Sequence, residues 1–188
     1  YNGAAYGATG SATGVGGVSL GGLNLGTTFT HAPGGTANWS FAGGTNYNNT
    51  SGTAAIVINK ANATVVVTPY TVEYDGQPHS ATIASITGVN GETGATVGTV
   101  TLNTTHTTVG IYSDSWSFTG AANYNHIAVT AITDTIKDTT APTITSLSNN
   151  SPTLWPPNHK MVAVTVAASS TDIVGVASLK IVSVTSSE

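Results

Sequence analysis

The sequence predicts an all-β protein, and three observations indicate it. Only 6% of the residues are charged and Arg is absent, while Thr, Ala, Gly, Val, Ser and Asn dominate, a composition typical of strands and turns. No window carries apolar residues at the three-and-four spacing of a helix. Strand-like runs recur, as at 95–102, 163–166 and 179–184. A mean hydropathy of +0.12 and a net charge of only -4 argue against disorder.

Composition also excludes classes of function. Cysteine is absent, which removes disulfides, thiolate zinc sites and cysteine nucleophiles. Four Lys and a slightly acidic balance argue against nucleic-acid binding, which needs a basic face. No secretory signal, membrane span or sorting motif is visible. The low-charge, Thr- and Asn-rich composition is typical of exported fibres, so we expect an extracellular protein, secreted or on a bacterial cell surface, whose ends belong to a longer polypeptide.

Internal repetition is the most informative feature. Tyr1–Thr9 aligns with Tyr74–Thr82 at an offset of 73 residues. The segment 39–48, WSFAGGTNYN, matches 116–125, WSFTGAANYN, at an offset of 77 with seven of ten residues identical. Both units close on a lysine, Lys60 and Lys137, at that same offset. A unit of about 75 residues is too long for a solenoid repeat and suits a small sandwich of short strands.

Strands within the second unit follow from β-branched runs between turn signals. Asp75-Gly76 and Asn90-Gly91 are the turn signals. In the segment 111–118, Trp and Phe alternate with Ser, which places both aromatic side chains on one face of a strand and predicts that this face is the core. The predicted strands are 64–74, 79–87, 95–103, 110–119 and 127–136.

The residue pattern of the two repeats does not continue after Lys137. Residues 138–143 have the character of a linker, and a different signature, LWPPNHKMV, follows at 154–162. Strands are expected at 163–168 and 179–185. About 50 residues is short for a complete sandwich, so we expect a partial third unit.

The second unit carries four short motifs: YDG at 74–76, HSAT at 79–82, GVNGE at 88–92 and NYN at 123–125. Together they resemble the mostly bacterial immunoglobulin-like repeats of the MBG or YDG type. The first unit is similar, with Asn2 for Asp and Tyr6 for His. The LWPPNHKM segment is similar to secreted bacterial immunoglobulin-like modules near the hyalin-repeat type. The resemblance implies tandem immunoglobulin-like β-sandwich domains at 1–60, 61–137 and 138–188, which act as spacers in surface proteins and adhesins and carry no catalytic residues.

Aromatic residues and histidines are the candidate ligand-binding groups. Trp39, Phe41, Trp116 and Phe118 suit either a core or a face that stacks on sugars, and their alternation favours the core. Tyr47 and Tyr124, in Asn-Tyr-Asn turns, are expected to anchor a loop through their hydroxyls. The five His, which lack the spacing of metal ligands, are His31, His79, His106, His126 and His159. Trp155 and His159, beside two prolines, could face a partner or pack at the domain junction.

Calcium is the only cofactor hypothesis that the sequence raises. Oxygen ligands from carboxylates near the second joint could converge on it, namely Asp134, Asp138, Asp172 and Glu188. A Lys-to-Asn isopeptide bond needs a buried carboxylate. Residues 1–60 contain no Asp or Glu, which excludes this bond from the first unit. No phosphate loop, HExxH motif or nucleophile elbow is present, so we do not expect an enzyme.

Three functions remain open on the sequence: a structural stalk, fibre or filament segment; an adhesin or carbohydrate-binding module whose partners are surface glycans; and accessory domains of a larger secreted enzyme. The first unit lacks the strand that precedes Tyr74 in the second. An open sandwich edge accepts strands. Identical subunits could therefore complete each other head to tail, or the flanking residues of the same polypeptide could supply what is missing.

Overall fold

The computed structural model describes residues 1–151, 153, 160–183 and 185. The described chain is mostly β and contains no α-helix, so the all-β prediction is confirmed. Three short 3₁₀ turns interrupt the strands, at Val15–Gly17, Val89–Gly91 and Gly94–Thr96. The described part of the chain contains no helix with the length and apolar character that a membrane crossing requires.

The first unit, residues 1–60, forms two small sheets. One pairs β1 with β2 and the other runs in the order β3-β4-β5. All the pairings are antiparallel. Its strands are β1 (Ala12–Thr13), β2 (Ser19–Leu20), β3 (Leu23–Asn24), β4 (Gly34–Phe41) and β5 (Thr50–Val57).

The second unit, residues 61–137, is larger and has the better formed core. A two-stranded sheet pairs β6 with β8, and a four-stranded sheet runs β7-β11-β10-β9, with β7 parallel to β11. Val97, Phe118 and Tyr124 are buried at the centre of a cluster that side chains from both sheets surround. Its strands are β6 (Thr64–Thr68), β7 (Thr71–Glu73), β8 (Thr82–Thr87), β9 (Gly98–Asn103), β10 (Gly110–Gly120) and β11 (Ile127–Lys137).

Each predicted strand of the second unit is found, with two informative differences. The predicted strand 64–74 is divided between β6 and β7. Pro69 lies in the gap, and proline cannot donate the hydrogen bond that a continuous ladder needs. The predicted strand 95–103 begins as a 3₁₀ turn, and β9 starts only at Gly98.

The third unit, residues 138–188, contains one described hairpin. β12 (Thr143–Asn149) pairs antiparallel with β13 (Val166–Thr171), so the strand predicted at 163–168 begins three residues later. Residues 179–183, predicted as part of a strand, are not in one. Every residue of β12 is exposed, including Ile144 and Leu147. Because an isolated two-stranded hairpin is marginal in water, this hairpin needs further packing to be stable.

The internal repeat is visible in the strand pairing. Leu23 pairs with Phe41 in the first unit, and Val100 pairs with Phe118 in the second, at the same offset of 77. A β-bulge between Trp116 and Phe118 then shifts the pairing of β10 with β11 by one residue. Asn59, and not Lys60, therefore occupies the place of Lys137: Tyr1 N donates to Asn59 O where Tyr74 N donates to Lys137 O.

Candidate functional site

The joint between the first two units is the most densely hydrogen-bonded contact between units. Tyr1 Oη donates to Glu92 Oε1 at 2.6 Å, and Tyr124 Oη donates to Glu92 Oε2 at 2.6 Å. One carboxylate of the second unit therefore binds a tyrosine from each unit. The ring of Tyr1 contacts that of Tyr124 edge to face, with centroids 5.8 Å apart.

Further contacts surround this carboxylate. Ala32 N donates to Asn123 Oδ1 at 3.1 Å, and Asn123 Nδ2 lies 3.0 Å from His31 Nδ1. Asn90 Nδ2 donates to the carbonyl oxygen of Asn2 at 2.7 Å. His31 also stacks on Tyr1, with ring centroids 6.0 Å apart. We call this set of contacts the Tyr1 joint.

The ionisation of the Tyr1 joint follows from its hydrogen bonds. The phenols of Tyr1 and Tyr124, in that order of effect, stabilise the carboxylate and lower the pKa of Glu92. The same bond raises the pKa of Tyr1, because the phenol proton is held by a negative acceptor. Glu92 is therefore charged and both phenols are neutral at neutral pH.

Tyr124 anchors a loop as well as the joint. Its hydroxyl accepts a hydrogen bond from Val89 N at 2.9 Å while donating to Glu92. Tyr47 does the equivalent in the first unit, where its hydroxyl accepts from Val15 N at 3.1 Å. The expected loop-anchoring role of both tyrosines is thus present in the contacts. At each site a glycine, Gly14 or Gly88, leaves room for the phenol, because an added Cβ would lie 2.3 or 2.2 Å from the hydroxyl oxygen.

A second candidate site is a polar cluster inside the second unit. Asp134 on β11 is completely buried; its Oδ1 accepts from Tyr70 N at 2.8 Å, and its Oδ2 has no hydrogen-bond partner among the described residues. Asp114, on the neighbouring strand, has its two oxygens each 2.9 Å from His106 Nε2. The ring of His106 stacks on Tyr112 at 3.5 Å.

Burial controls the ionisation of this cluster. Desolvation raises the pKa of Asp134, the hydrogen bond from Tyr70 N lowers it, and the nearby carboxyl group of Asp114 raises it. Burial likewise raises the pKa of Tyr70. The hydroxyl of Tyr70 is buried without a partner in the described structure. Asp134 therefore binds its proton at a higher pH than a solvent-exposed aspartate does.

The same positions are apolar in the first unit. Phe29 occupies the place of His106, since Tyr6 bridges to Phe29 as His79 bridges to His106. Ala37 and Ile56 stand where Asp114 and Asp134 stand in the second unit, by the offsets of their paired strands. The polar cluster is thus specific to the second unit. Only the absence of acids from residues 1–60 indicated this difference in the sequence.

The predicted calcium ligands are not brought together in the described structure. Asp138 Oδ1 accepts from Thr140 N at 2.9 Å, and Asp172 Oδ1 accepts from Val174 N at 2.9 Å, so both close local turns. Asp134 is buried in its own cluster, and Glu188 lies outside the described residues. Within the described ranges, no three His, Cys, Asp or Glu side chains are grouped so as to hold a metal. The calcium hypothesis stays a prediction.

The four described histidines all have hydrogen-bond partners, and that of His31 is Asn123 across the Tyr1 joint. His79 Nε2 lies 2.9 Å from Asp75 Oδ1, and Asn2 with Tyr6 makes the equivalent contact in the first unit at 2.7 Å. His126 Nδ1 accepts from Gly120 N. Trp155 and His159 lie outside the described residues, and the role proposed for them stays a prediction.

Trp39 and Trp116 are half-buried, and neither is mostly exposed. Trp116 packs against the buried cluster of the second unit. Trp39 covers Gly52 on the paired strand, where an added Cβ would lie 2.7 Å from the indole. The expected core face is confirmed for Phe118, which is only 1% exposed.

Comparison with known proteins gave no match to any family model, to any curated protein or to any solved structure.

Proposed function

We propose that the chain is a structural segment of an extracellular bacterial surface protein, a stalk or fibre built from tandem immunoglobulin-like units. The Tyr1 joint is the observation that supports this proposal most strongly. A spacer transmits position only if its units keep a fixed orientation, and interfaces between domains are otherwise mobile by default. Five side-chain and ring contacts cross from one unit to the other, around Glu92, Asn123 and Asn90, and restrain this joint.

The linker chemistry adds to the argument. Ala61, which follows the first unit directly, bonds in both directions to the second: Ala61 N donates to Asn123 O, and Asn125 N donates to Ala61 O, each at 2.9 Å. The linker is therefore part of the fold of the second unit. A peptide held by main-chain hydrogen bonds on both of its polar groups cannot swivel as a Gly/Ser linker does.

The surface also suits a spacer. The sequence has only twelve charged side chains, four basic and eight acidic. The ion pairs given by the described residues are His79–Asp75, His106–Asp114 and Lys137–Glu73. Low charge limits nonspecific electrostatic association with nucleic acid or anionic surfaces. The resemblance of the two repeats to MBG or YDG units supports a role in a surface protein in which such units hold other domains away from the cell.

Small-angle scattering of the full chain tests the proposal, together with a glycan array as the control for the adhesin alternative. A stalk segment should give the profile of a stiff, elongated particle with no glycan bound. Saturable binding to one class of glycan, lost on changing Trp39 to Ala, would favour the adhesin. A profile of freely jointed beads would contradict the stalk.

A further inference from the structure

An asparagine that is followed by glycine lies in the Tyr1 joint. Asn90 and Gly91 are exposed, and Asn90 Nδ2 donates to Asn2 O of the first unit at 2.7 Å. Gly3 leaves room for this amide, because an added Cβ would lie 2.3 Å from Asn90 Nδ2. Asparagine before glycine is the pair most prone to spontaneous deamidation, because glycine has no Cβ to hinder its amide nitrogen. The joint therefore contains a group that water alone can modify.

The reaction begins when Gly91 N attacks Asn90 Cγ. The bond from Cγ to Nδ2 breaks, the amide nitrogen leaves as ammonia with the proton of Gly91 N, and a five-membered succinimide ring forms. Water then opens the ring. Hydrolysis of the ring bond to Cγ gives aspartate. Hydrolysis of the ring bond to the main-chain carbonyl carbon gives isoaspartate, in which the chain runs through the former side chain. Nothing is oxidised or reduced, and water is the only co-reactant.

The closed joint holds Asn90 in a conformation that cannot react. Asn90 has a φ of +53° and a ψ of +25°. At this ψ, Gly91 N lies on the opposite side of the Cα–C bond from the Asn90 side chain, whereas attack needs the two reacting atoms close together. The leaving nitrogen is also held by its hydrogen bond to Asn2 O. The turn must therefore open before the succinimide can form.

Both products disturb the contacts of the closed joint. An aspartate oxygen cannot donate to Asn2 O, so two acceptors would face each other where the hydrogen bond of Asn90 stood. Isoaspartate adds a methylene group to the main chain between Val89 and Glu92, where Glu92 N donates to Val89 O at 3.0 Å and closes the turn. The lengthened turn displaces the Glu92 carboxylate from Tyr1.

We propose that Asn90 is a site of spontaneous deamidation that makes opening of the Tyr1 joint irreversible. While the joint is closed, the turn does not react. Each opening exposes Asn90 to attack by Gly91 N, and the modified turn no longer restores the original contacts. The inference rests on the proposed function, because it concerns the same joint that keeps the stalk stiff.

The chain has a second pair of this kind, Asn2-Gly3, whose conversion to aspartate has a different consequence. Asn2 Oδ1 accepts from Ala4 N at 3.0 Å. Its counterpart in the second unit is Asp75, whose Oδ1 accepts from Gln77 N at 2.8 Å in the same way. Conversion of Asn2 to aspartate thus gives a side chain that the equivalent turn of the second unit already carries.

Incubation of the purified full chain at neutral pH, followed by peptide mapping with mass spectrometry, measures the rate of deamidation at Asn90. Two variants open the joint from the first unit and leave the Asn90 turn unchanged. Tyr1→Phe removes a phenol from the shared carboxylate, and His31→Ala removes the contact with the second unit's asparagine amide. Tyr47→Phe, which removes a loop-anchoring hydroxyl away from the joint, is the matched control.

Deamidation at Asn90 should be about tenfold faster in both joint variants than in the wild type, because local opening limits the reaction of a protected group, and Tyr47→Phe should match the wild type. Wild-type chain that has deamidated should show the Tyr1 and His31 NMR signals of the open joint. Equal rates in the wild type and both joint variants would overturn the proposal, as would unchanged signals after deamidation. Scattering of the fresh chain separates the two proposals: freely jointed beads would refute the stalk, whereas a stiff chain with equal rates would refute only this inference.

Discussion

Tyr1 and Tyr124 come from different units, yet their hydroxyls donate to the two oxygens of one carboxylate, that of Glu92. The first unit has Val18 at the position of Glu92, since Gly14 N donates to Val18 O as Gly88 N donates to Glu92 O. Both repeats thus keep the main-chain hydrogen bond that closes this loop, while the last residue of the loop is apolar in the first and acidic in the second. Of the two repeats, only the second carries a carboxylate that binds a tyrosine of its neighbour.

Acid should loosen the Tyr1 joint. The pKa of Glu92 is lowered in the folded state, so the stabilisation is present above its unfolded pKa of about 4.3 and is lost as pH falls through the lower folded value. Glu92→Gln should remove this dependence from the NMR shifts of Tyr1 and His31. Glu73→Gln, which changes a carboxylate that pairs with Lys137 away from the joint, is the matched control. Shifts that follow pH equally in both variants would contradict the assignment.

The contribution of Asp134 to the pH dependence of the second unit should have the opposite sign. Because the folded pKa of Asp134 is raised, its contribution is fully present below the unfolded pKa of about 3.9 and is lost as pH rises through the folded value. Asp134→Asn keeps an oxygen for Tyr70 N and mimics the protonated acid. Urea unfolding across pH should show a flatter profile for this variant than for the wild type. Asp138→Asn, outside the cluster, should keep the wild-type slope.

Removing the Tyr124 hydroxyl should cost more than removing that of Tyr47. Tyr124 is completely buried, so Tyr124→Phe leaves Val89 N and Glu92 without their partner and should lower the free energy of unfolding by about 1–3 kcal/mol. Tyr47 is half-exposed, and water can replace its hydroxyl. Equilibrium unfolding of both Phe variants makes the comparison. Equal losses would show that burial does not control the effect.

The two tryptophans should differ for a related reason. Trp116→Ala removes a side chain that packs against the closed cluster and should cost about 3 kcal/mol, the low end for a large aromatic because the indole is only half-buried. Trp39 lines an open cavity of about 310 Å³ in the first unit, so Trp39→Ala should cost less. Chemical denaturation of each variant measures both losses. A larger loss for Trp39 would mean that the first unit has a closed core.

Composition and strand-like runs were enough to predict an all-β fold. The matched segments predicted the repeat, and alternation along the strand predicted the core face that carries Phe118. The anchoring role of the tyrosines also followed, because a phenol in an Asn-Tyr-Asn turn has few other uses. The Tyr1 joint could not be predicted, since Tyr1 and Glu92 are 91 residues apart and only packing brings them together. The bulge that makes Asn59 rather than Lys60 the counterpart of Lys137 could not be predicted either, because both units still have a lysine at the offset of 77.

The polar cluster shows a further limit. Asp134 looked like a calcium ligand because it lies close in sequence to Asp138, but alternation along β11 points its side chain into the protein beside Tyr70. Which carboxylates converge depends on strand pairing. Asp114 lies on the neighbouring strand and was not among the predicted ligands.

The stiffness of the Tyr1 joint is the central claim, and a distance between the two units measures it most directly. The chain has no cysteine, so Thr53→Cys and Thr101→Cys, both at exposed strand positions, place one spin label on each unit. Pulsed electron–electron double resonance should give one narrow distance distribution between the two labels at neutral pH. This distribution should broaden when Tyr1→Phe and Glu92→Gln are added. A broad distribution in the unmodified joint, unchanged by those two substitutions, would contradict the account.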